Sequence, residues 1–397
     1  MCLCPASAYS ASLKELNFPF TLRTESEYFT LQSAEDSKRP GFLTFQVKTP
    51  HEFYEIETLP ELRKTLNEIE VIEKIRQGKA GSGFAGGAVD TVKATGEGVK
   101  NLVTDPVQSG KNMGTAVGKI GRGIGGVFRS KEAAEKSSFQ EKVFGGSERD
   151  LARELGVDVY TRNETLSAMI SEMSRSRTGG KGVVTVGKFL LPVAFLVSAA
   201  VSAGTINSAA DELVNSQSRG SLYSSNKKAL EDLGFADSDI QTFLNKPFYT
   251  PRETTYLRFY LEQLKTSAGY HQLFRKGLKV NSVWEARELL YAAELAAEAA
   301  RTMEGQLSLE VYSEGLALGS ISDLVFLVPY DYLEANSKLS RTILERLKVL
   351  KSLKPLKSVE LRISGQGSSK FVSEAEKQGI KVKSWMLFRT LTTDPNR

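Results

Sequence analysis

The residue types that most often carry enzymatic chemistry are scarce in this chain and are not spaced for it. The two histidines, His51 and His271, belong to no HExxH or paired-histidine motif. The two cysteines, Cys2 and Cys4, are separated by one residue and form no CxxC pair, which argues against structural zinc and a disulfide framework. We therefore expect no metal site, no cofactor, and histidines that are exposed or hydrogen-bonded.

Three short motifs match phosphate-binding or catalytic patterns only in part. Gly121-Arg-Gly-Ile-Gly-Gly126 has the GxGxxG form, but no apolar strand precedes it. Gly179-Gly-Lys181 lacks the first glycine and the final Ser/Thr of a phosphate loop, and Ser224-x-x-Lys227 lacks its companion motifs. The sequence therefore predicts no catalytic residue and favours a non-enzymatic protein.

One loop in the C-terminal part of the chain has the residues of an anion-binding site. Gly367, Ser368 and Ser369 come directly before or at the start of a predicted helix. The amide groups at a helix N-terminus lack partners within the helix and can bind an anion. This loop supports an alternative function, that of a soluble enzyme or a binder of small anionic ligands.

Positive charge is concentrated in two regions of the chain. The net charge is +5, while residues 78–131 hold eight basic and three acidic residues and residues 337–397 hold fourteen and five. Two basic regions on a net acidic remainder favour an anionic partner, although a solvated charged face explains the same pattern. The nearby aromatic residues Phe371, Trp385 and Phe388 favour core packing over nucleic-acid binding.

The most unusual segment is a glycine-rich, basic, amphipathic tract at residues 78–131. Thirteen glycines lie between residues 81 and 126, and each costs about 1 kcal/mol in a helix interior. Apolar residues still recur at helical spacing, so the tract is typical of a weak interfacial helix that forms on an anionic membrane surface. Tight intramolecular packing and a flexible linker are the alternatives. The predicted lipid contacts are Phe84, Val92, Lys93, Val99, Lys100, Val103, Val107, Lys111, Val117, Lys119, Ile120, Arg122, Ile124, Val127 and Phe128.

Two resemblances bear on this hypothesis. Val99-Lys-Asn-Leu-Val-Thr-Asp-Pro-Val107 is similar to the glycine-punctuated amphipathic helices near the C-termini of bridge-like lipid-transfer proteins, which adds weight to lipid contact. As a whole the chain resembles a family of bacterial proteins with no assigned activity, through residues 62–72, 102–107, 155–163 and 243–251. That resemblance implies an exported or envelope setting, either periplasmic or membrane-associated. The charge and glycine pattern of the tract favours an anionic lipid surface or a membrane protein as the partner.

A second apolar segment, at residues 182–206, holds a single charge, Lys188. The uncharged residues from Phe189 to Ile206 would span about 27 Å as a helix, just short of a bilayer core. We favour a buried central helix for this segment, with a membrane span as the alternative.

The first eleven residues differ in character from the rest of the chain. Ala6-Ser-Ala8 has the small-x-small form of a signal-peptidase site, yet no charged start and no long apolar run precede it. The sequence predicts the remnant of a truncated signal peptide at residues 1–11, and a disordered N-terminus is the alternative.

Hydrophobic periodicity predicts a mainly helical α+β fold. Alternating β-formers at 27–32 and 42–48 indicate a hairpin, and the capping box Thr58-x-x-Glu61 begins a helix that ends before Gly78. Further helices are predicted at 147–155, 163–173, 225–233, 237–245, 251–265, 283–303, 332–352 and 369–378, and further strands at 307–312, 323–329, 358–363 and 380–385.

These elements suggest five regions along the chain. They are the N-terminal remnant (1–11), a hairpin plus helix (12–77), the glycine-rich tract (78–145), a helical domain that includes the apolar helix (146–306), and a small α/β unit (307–390). Glu68, Glu70 and Glu73 fall on the well-patterned helix of the second region, and we expect them to form its solvated side.

Overall fold

The computed structural model describes Leu16 and residues 23–77, 145–178, 205–353 and 355–384. The predicted fold class is confirmed, since the protein is α+β and mainly helical. The predicted signal-peptide remnant, the predicted lipid contacts of the tract, and residues 182–204 of the apolar segment lie outside the described residues.

The described helices and strands are bounded as follows. The helices are α1 (Leu59–Arg76), α2 (Gly146–Glu154), α3 (Glu164–Thr178), α4 (Thr205–Ser216), α5 (Arg219–Asp232), α6 (Asp237–Leu244), α7 (Pro251–Leu264), α8 (Tyr270–Lys279), α9 (Val283–Thr302), α10 (Lys338–Leu353) and α11 (Ser369–Lys377). The strands are β1 (Thr30–Asp36), β2 (Leu43–Lys48), β3 (Phe53–Glu57), β4 (Ser308–Val311), β5 (Leu316–Gly319), β6 (Asp323–Val328), β7 (Tyr332–Leu333), β8 (Ser358–Ile363), β9 (Gln366–Gly367) and β10 (Lys381–Lys383).

Internal contacts divide the chain into two compact units. The N-unit comprises Arg23–Ser33 and Phe45–Ala199, and the C-unit comprises Met1–Leu22, Ala34–Thr44 and Ala200–Arg397. Strands β1, β2 and β3 form one sheet in that order. The pair β1 and β2 corresponds to the predicted hairpin, and β3 is an additional strand that the sequence analysis did not identify.

Local capping interactions fix where the helices of the N-unit begin. The hydroxyl of Thr58 accepts a hydrogen bond from the amide of Glu61 at 3.4 Å, and a proline occupies the first turn of α1, as predicted. The side chain of Asn163 accepts a hydrogen bond from the amide of Leu166 at 3.1 Å and begins α3 in the same way. Gly156, with a φ of 66°, follows the end of α2 in the left-handed conformation that glycine favours at a helix C-terminus.

The helical part of the C-unit is built around α7, which packs against α4, α5 and α9. Thr250 and Glu253 form a reciprocal capping box at the start of α7. Asp211 on α4 accepts hydrogen bonds from Arg252 and Tyr256, so that α4 and α7 are joined by a partly buried ion pair. The sequence analysis predicted α5, α6, α7 and α9 but not α4 or α8.

The C-terminal part of the C-unit is an α/β unit with a five-stranded sheet of order β10-β8-β6-β5-β4. Strands β6, β8 and β10 are parallel, while β4, β5 and β6 are antiparallel. The helices α10 and α11 connect the parallel strands, which is the arrangement that parallel neighbours require. The wholly buried Phe326, Leu361 and Phe371 belong to the core of this unit. Trp385 and Phe388, for which core packing was favoured, lie outside the described residues.

The carboxyl ends of β6 and β8 approach each other closely. The amide of Gly365 donates to the carbonyl of Tyr330 at 2.8 Å, and the amide of Gln366 donates to the carbonyl of Asp331 at 2.9 Å. A Cβ atom at Gly365 would lie 2.0 Å from the Asp331 carbonyl oxygen. Only glycine therefore permits these two chain segments to pair.

We expect Gly365→Ala to destabilise the C-unit by about 1–3 kcal/mol or more, because the added methyl group meets backbone atoms that cannot rotate away. Gly220→Ala is the matched control, since no atom lies within 4 Å of a Cβ at that exposed position of α5. The control is expected to gain about 0.5–1 kcal/mol. Urea unfolding followed by tryptophan fluorescence measures both, and equal stability of the two variants would contradict the close approach.

Candidate functional site

The three glutamates of α1 are buried, so the prediction that they form the solvated side of the helix is wrong. Glu68, Glu70 and Glu73 are 4%, 3% and 0% exposed. Helix α1 packs against β3 on one side and against α3 on another, and most of its circumference is enclosed. Buried carboxylates require ionic or hydrogen-bonded partners, and each of the three has them.

Glu68 belongs to a charged group that joins α1 to the loop between α2 and α3. Its carboxylate accepts a hydrogen bond from the Thr161 hydroxyl at 2.6 Å, and the Lys64 ammonium lies 2.9 Å from the Asp158 carboxylate. The amide group of Asn67 also donates to the carbonyl of Gly156 at 3.1 Å. Burial raises the pKa of Glu68, although Lys64 and the Thr161 hydrogen bond oppose the effect.

The carboxylates of the other two glutamates pair with cations near the C-terminal end of α1. Glu70 pairs with Arg23 at 2.7 Å and with Lys74 at 3.0 Å. Glu73 pairs with Arg76 at 2.8 Å, and its second carboxylate oxygen lies 3.3 Å from Nε2 of His51. Burial raises the pKa of Glu73 against the opposing effect of these cations.

These contacts assign the carboxylates of α1 a structural role. Each charge is matched by a group of opposite charge or by a hydroxyl donor within the N-unit. His51 is exposed, as is His271, which confirms the prediction for both histidines. A histidine beside a glutamate can act in acid–base catalysis, but here the carboxylate is shared with Arg76 and fixes the loop that holds His51.

The Ser224-x-x-Lys227 motif also has a structural explanation. The Ser224 hydroxyl donates to the carbonyl of Gly220 at 3.1 Å. The ammonium of Lys227 lies 2.8 Å from Asp237 and 3.6 Å from Glu231. Both side chains are therefore used within the helices α5 and α6.

The structure places the predicted anion-binding residues at the start of α11. The Ser368 hydroxyl accepts hydrogen bonds from the amides of Phe371 at 3.2 Å and Ala335 at 3.3 Å. Gly367 lies in β9, which pairs with β7, and Ser369 is exposed on the first turn of the helix. Because the serine cap already satisfies one amide of the helix N-terminus, this arrangement serves helix capping, and anion binding there stays a prediction.

The start of α2 and the end of α3 lie at the same end of the α2–α3 pair. The hydroxyls of Ser147, at the start of α2, and Ser174, near the end of α3, are 2.7 Å apart. The described segment therefore begins, at Gly145, and ends, at Thr178, at the same end of this pair. The opposite end, with the connecting loop, is the one bonded to α1 through Asp158 and Thr161.

The sequence contained a partial signal for this arrangement. Two helices joined by a short connection, with the stop at Gly156 and the cap at Asn163, are expected to be antiparallel neighbours. That rule brings the start of α2 close to the end of α3, and the contact between Ser147 and Ser174 agrees with it. Both helices are predicted from the sequence, whereas their pairing is seen only in the structure.

The described part of the chain contains no helix long and apolar enough to cross a bilayer. It also contains no group of three or more His, Cys, Asp or Glu side chains arranged to hold a metal ion. In comparisons with protein-family models, curated proteins and solved structures, nothing matches this chain.

We expect Glu68→Gln to change how the stability of the N-unit depends on pH. Because the folded state raises the pKa of Glu68, the wild-type carboxylate destabilises the fold increasingly as the pH rises from its ordinary pKa through the raised one. The variant lacks this effect, so it gains relative to wild type by about 1.4 kcal/mol for each pH unit by which folding raises the pKa.

Hydrogen exchange of the α1 amides at mildly acidic and neutral pH measures the change, since both tryptophans lie outside the N-unit. Glu154→Gln, at an exposed position of α2, controls for the loss of one negative charge. A difference between Glu68→Gln and wild type that stays constant with pH would contradict a raised pKa.

Proposed function

We propose that this protein is a non-enzymatic, membrane-associated protein of the bacterial cell envelope that contacts anionic lipid through residues 78–131. Eight basic residues of this tract supply attraction to the lipid headgroups, each by roughly 1 kcal/mol near the surface. Its recurring apolar residues supply burial in the interface. A membrane protein with an anionic surface is the second kind of partner that this composition suits.

The contact between Ser147 and Ser174 is the observation that carries the proposal. It places Gly145, the first described residue after the glycine-rich tract, and Thr178, the last described residue before the apolar segment at 182–206, at one end of the α2–α3 pair. A bilayer bound by one of these segments would therefore lie close to the point from which the other departs. Two segments with lipid-compatible composition at one end of a folded unit favour a common surface over two unrelated linkers.

The opposite end of the α2–α3 pair also supports an orientation in which the end with Ser147 and Ser174 lies towards the bilayer. There Lys64, Asn67 and Glu68 of α1 bond to the connecting loop, so charged groups are already paired within the N-unit. These groups are not available to attract lipid, whereas the eight basic residues of the tract outnumber its three acidic residues, Asp90, Glu97 and Asp105. The tract is thus the part of the N-unit sequence best suited to an anionic surface.

Liposome flotation tests this proposal. We expect the full chain to float with vesicles that contain phosphatidylserine and not with phosphatidylcholine alone. A control chain replaces residues 80–130 by a glycine–serine segment of equal length, which keeps the connection between Gln77 and Gly145, and it is expected to lose most of the binding. Substitution of Lys93, Lys100 and Lys111 by glutamine is expected to weaken binding by about fivefold per lysine.

Two results would contradict the proposal in different ways. If the full chain does not float with anionic vesicles, the protein is not a lipid-binding protein of this kind. If the full chain and the glycine–serine control float equally well, lipid is bound elsewhere and the tract is a linker or an internal packing segment.

A further inference from the structure

Exposed aliphatic side chains are concentrated at one place on the C-unit. Among the described residues, the exposed large hydrophobic side chains are Phe53, Ile321, Val349 and Leu353. Ile321 is 87% exposed, Leu353 is 72% exposed and Val349 is 52% exposed. All but Phe53 lie at the amino-terminal edge of the parallel strands, and a cluster of this kind marks an interaction surface.

The backbone brings these residues together from separate segments. Ile321 lies in the turn before β6, and the carbonyl of its neighbour Ser322 accepts a hydrogen bond from the amide of Lys357 at 2.7 Å, just before β8. Val349 and Leu353 are one turn apart at the end of α10, which leads into this link. The parallel pairing of β6 and β8 thus sets the turn before one strand beside the helix that precedes the other.

Exposed lysines lie on the elements that meet at this edge of the sheet. The ammonium of Lys351 donates to the carbonyl of Gln378 at 2.9 Å, which brings the turn between α11 and β10 to the same edge. We call the resulting set the aliphatic–lysine surface; its members are Ile321, Val349, Leu353, Lys348, Lys351, Lys357, Lys377 and Lys381, all of them exposed. The acidic residues on the same elements are Glu345, one turn before Val349, the exposed Glu374 and Glu376 of α11, and Asp323, whose carboxylate accepts hydrogen bonds from Ser322 and Ser358.

We propose that the aliphatic–lysine surface is a second lipid contact, which seats the C-unit on an anionic bilayer. Aliphatic side chains enter the interface between headgroups and acyl chains, while the long stems of lysine keep their ammonium groups among the lipid phosphates. The excess of lysine over carboxylate is complementary to an anionic surface. The proposal rests on the proposed function for the kind of partner, but on different residues for the contact.

The residue types distinguish this partner from other macromolecules. Protein interfaces are enriched in aromatic residues and arginine and depleted in lysine, whereas this surface has lysine and aliphatic residues. Single-stranded nucleic acids bind through stacking on exposed aromatic rings, and the surface has none among its members. Lysine with protruding isoleucine, leucine and valine is the combination that suits lipid.

The test measures partition onto phosphatidylcholine vesicles with and without phosphatidylserine, using the full chain. We expect Ile321→Ser/Leu353→Ser to weaken partition onto anionic vesicles by about tenfold, since two aliphatic side chains no longer leave water. Phe53→Ser removes an exposed apolar side chain of the N-unit and is the matched control, for which no change is expected. Lys348→Gln/Lys357→Gln is expected to weaken partition by about fivefold per lysine. Circular dichroism checks that every variant is folded.

The proposed lipid contact of the tract and that of the aliphatic–lysine surface can be contradicted separately. If the glycine–serine control of residues 80–130 loses binding while Ile321→Ser/Leu353→Ser binds as wild type does, the proposed function stands and the second contact is overturned. If the serine variant loses binding while the glycine–serine control keeps it, the second contact stands and the role of the tract fails. If Lys348→Gln/Lys357→Gln loses binding to a single-stranded oligonucleotide while neither pair of substitutions affects vesicle binding, the surface binds nucleic acid and the proposal is overturned.

Discussion

The hydrogen bonds of the buried Asp331 are the interactions on which the C-unit depends most. This residue is wholly buried, and one of its carboxylate oxygens accepts a hydrogen bond from the amide of Leu43 at 3.0 Å. The amides of Asp331 and Tyr332 both donate to the carbonyl of Gly41, and the Asp331 carbonyl accepts from the segment after β8. One residue therefore joins the turn at Gly41, the end of β6 and the end of β8, which lie far apart in sequence. A buried carboxylate without such donors would cost several kcal/mol.

This arrangement occupies the carboxyl edge of the parallel strands with the chain itself. In open α/β sheets that edge is the usual position of a ligand. Here the Gly41 turn packs against Tyr330, and Phe42 lies between Tyr330 and Trp284 with ring centroids 5.3 Å and 4.5 Å away. The amino edge of the same strands carries the exposed aliphatic side chains instead. The proposed contact surface of the α/β unit thus lies at the amino edge of the strands. The topology alone would suggest the opposite, carboxyl edge.

Sequence patterns predicted the parts of the fold that local interactions decide. The caps at Thr58, Asn163 and Thr250 each satisfy an amide within the next turn, so the starts of α1, α3 and α7 follow from a few neighbouring residues. Strand β5 has only four residues and exists because β4 and β6 pair with it from either side. Its sequence alone carried too little periodicity to identify it.

The same limit explains why the sequence did not predict the burial of the α1 glutamates or the position of the aliphatic–lysine surface. The apolar stripe of α1 predicts one buried face correctly, but the burial of Glu68 depends on a loop more than eighty residues away in sequence, at Thr161. Likewise, Ile321 and Leu353 lie at the same edge of the sheet only because β6 and β8 are parallel. Contacts set by tertiary pairing leave no periodic signal in the segments that make them.

The two proposed lipid contacts differ in the conformational entropy that binding would cost. The glycines of residues 81–126 lose more backbone freedom on ordering than any other residue type, so much of the attraction of that tract is offset when it becomes helical. The aliphatic–lysine surface is held in place by the sheet, by α10 and by the hydrogen bond from Lys351 to Gln378. A preformed surface loses mainly side-chain freedom on binding. A small rigid contact can therefore match a longer tract in affinity, and it alone can fix the orientation of a folded unit on a bilayer.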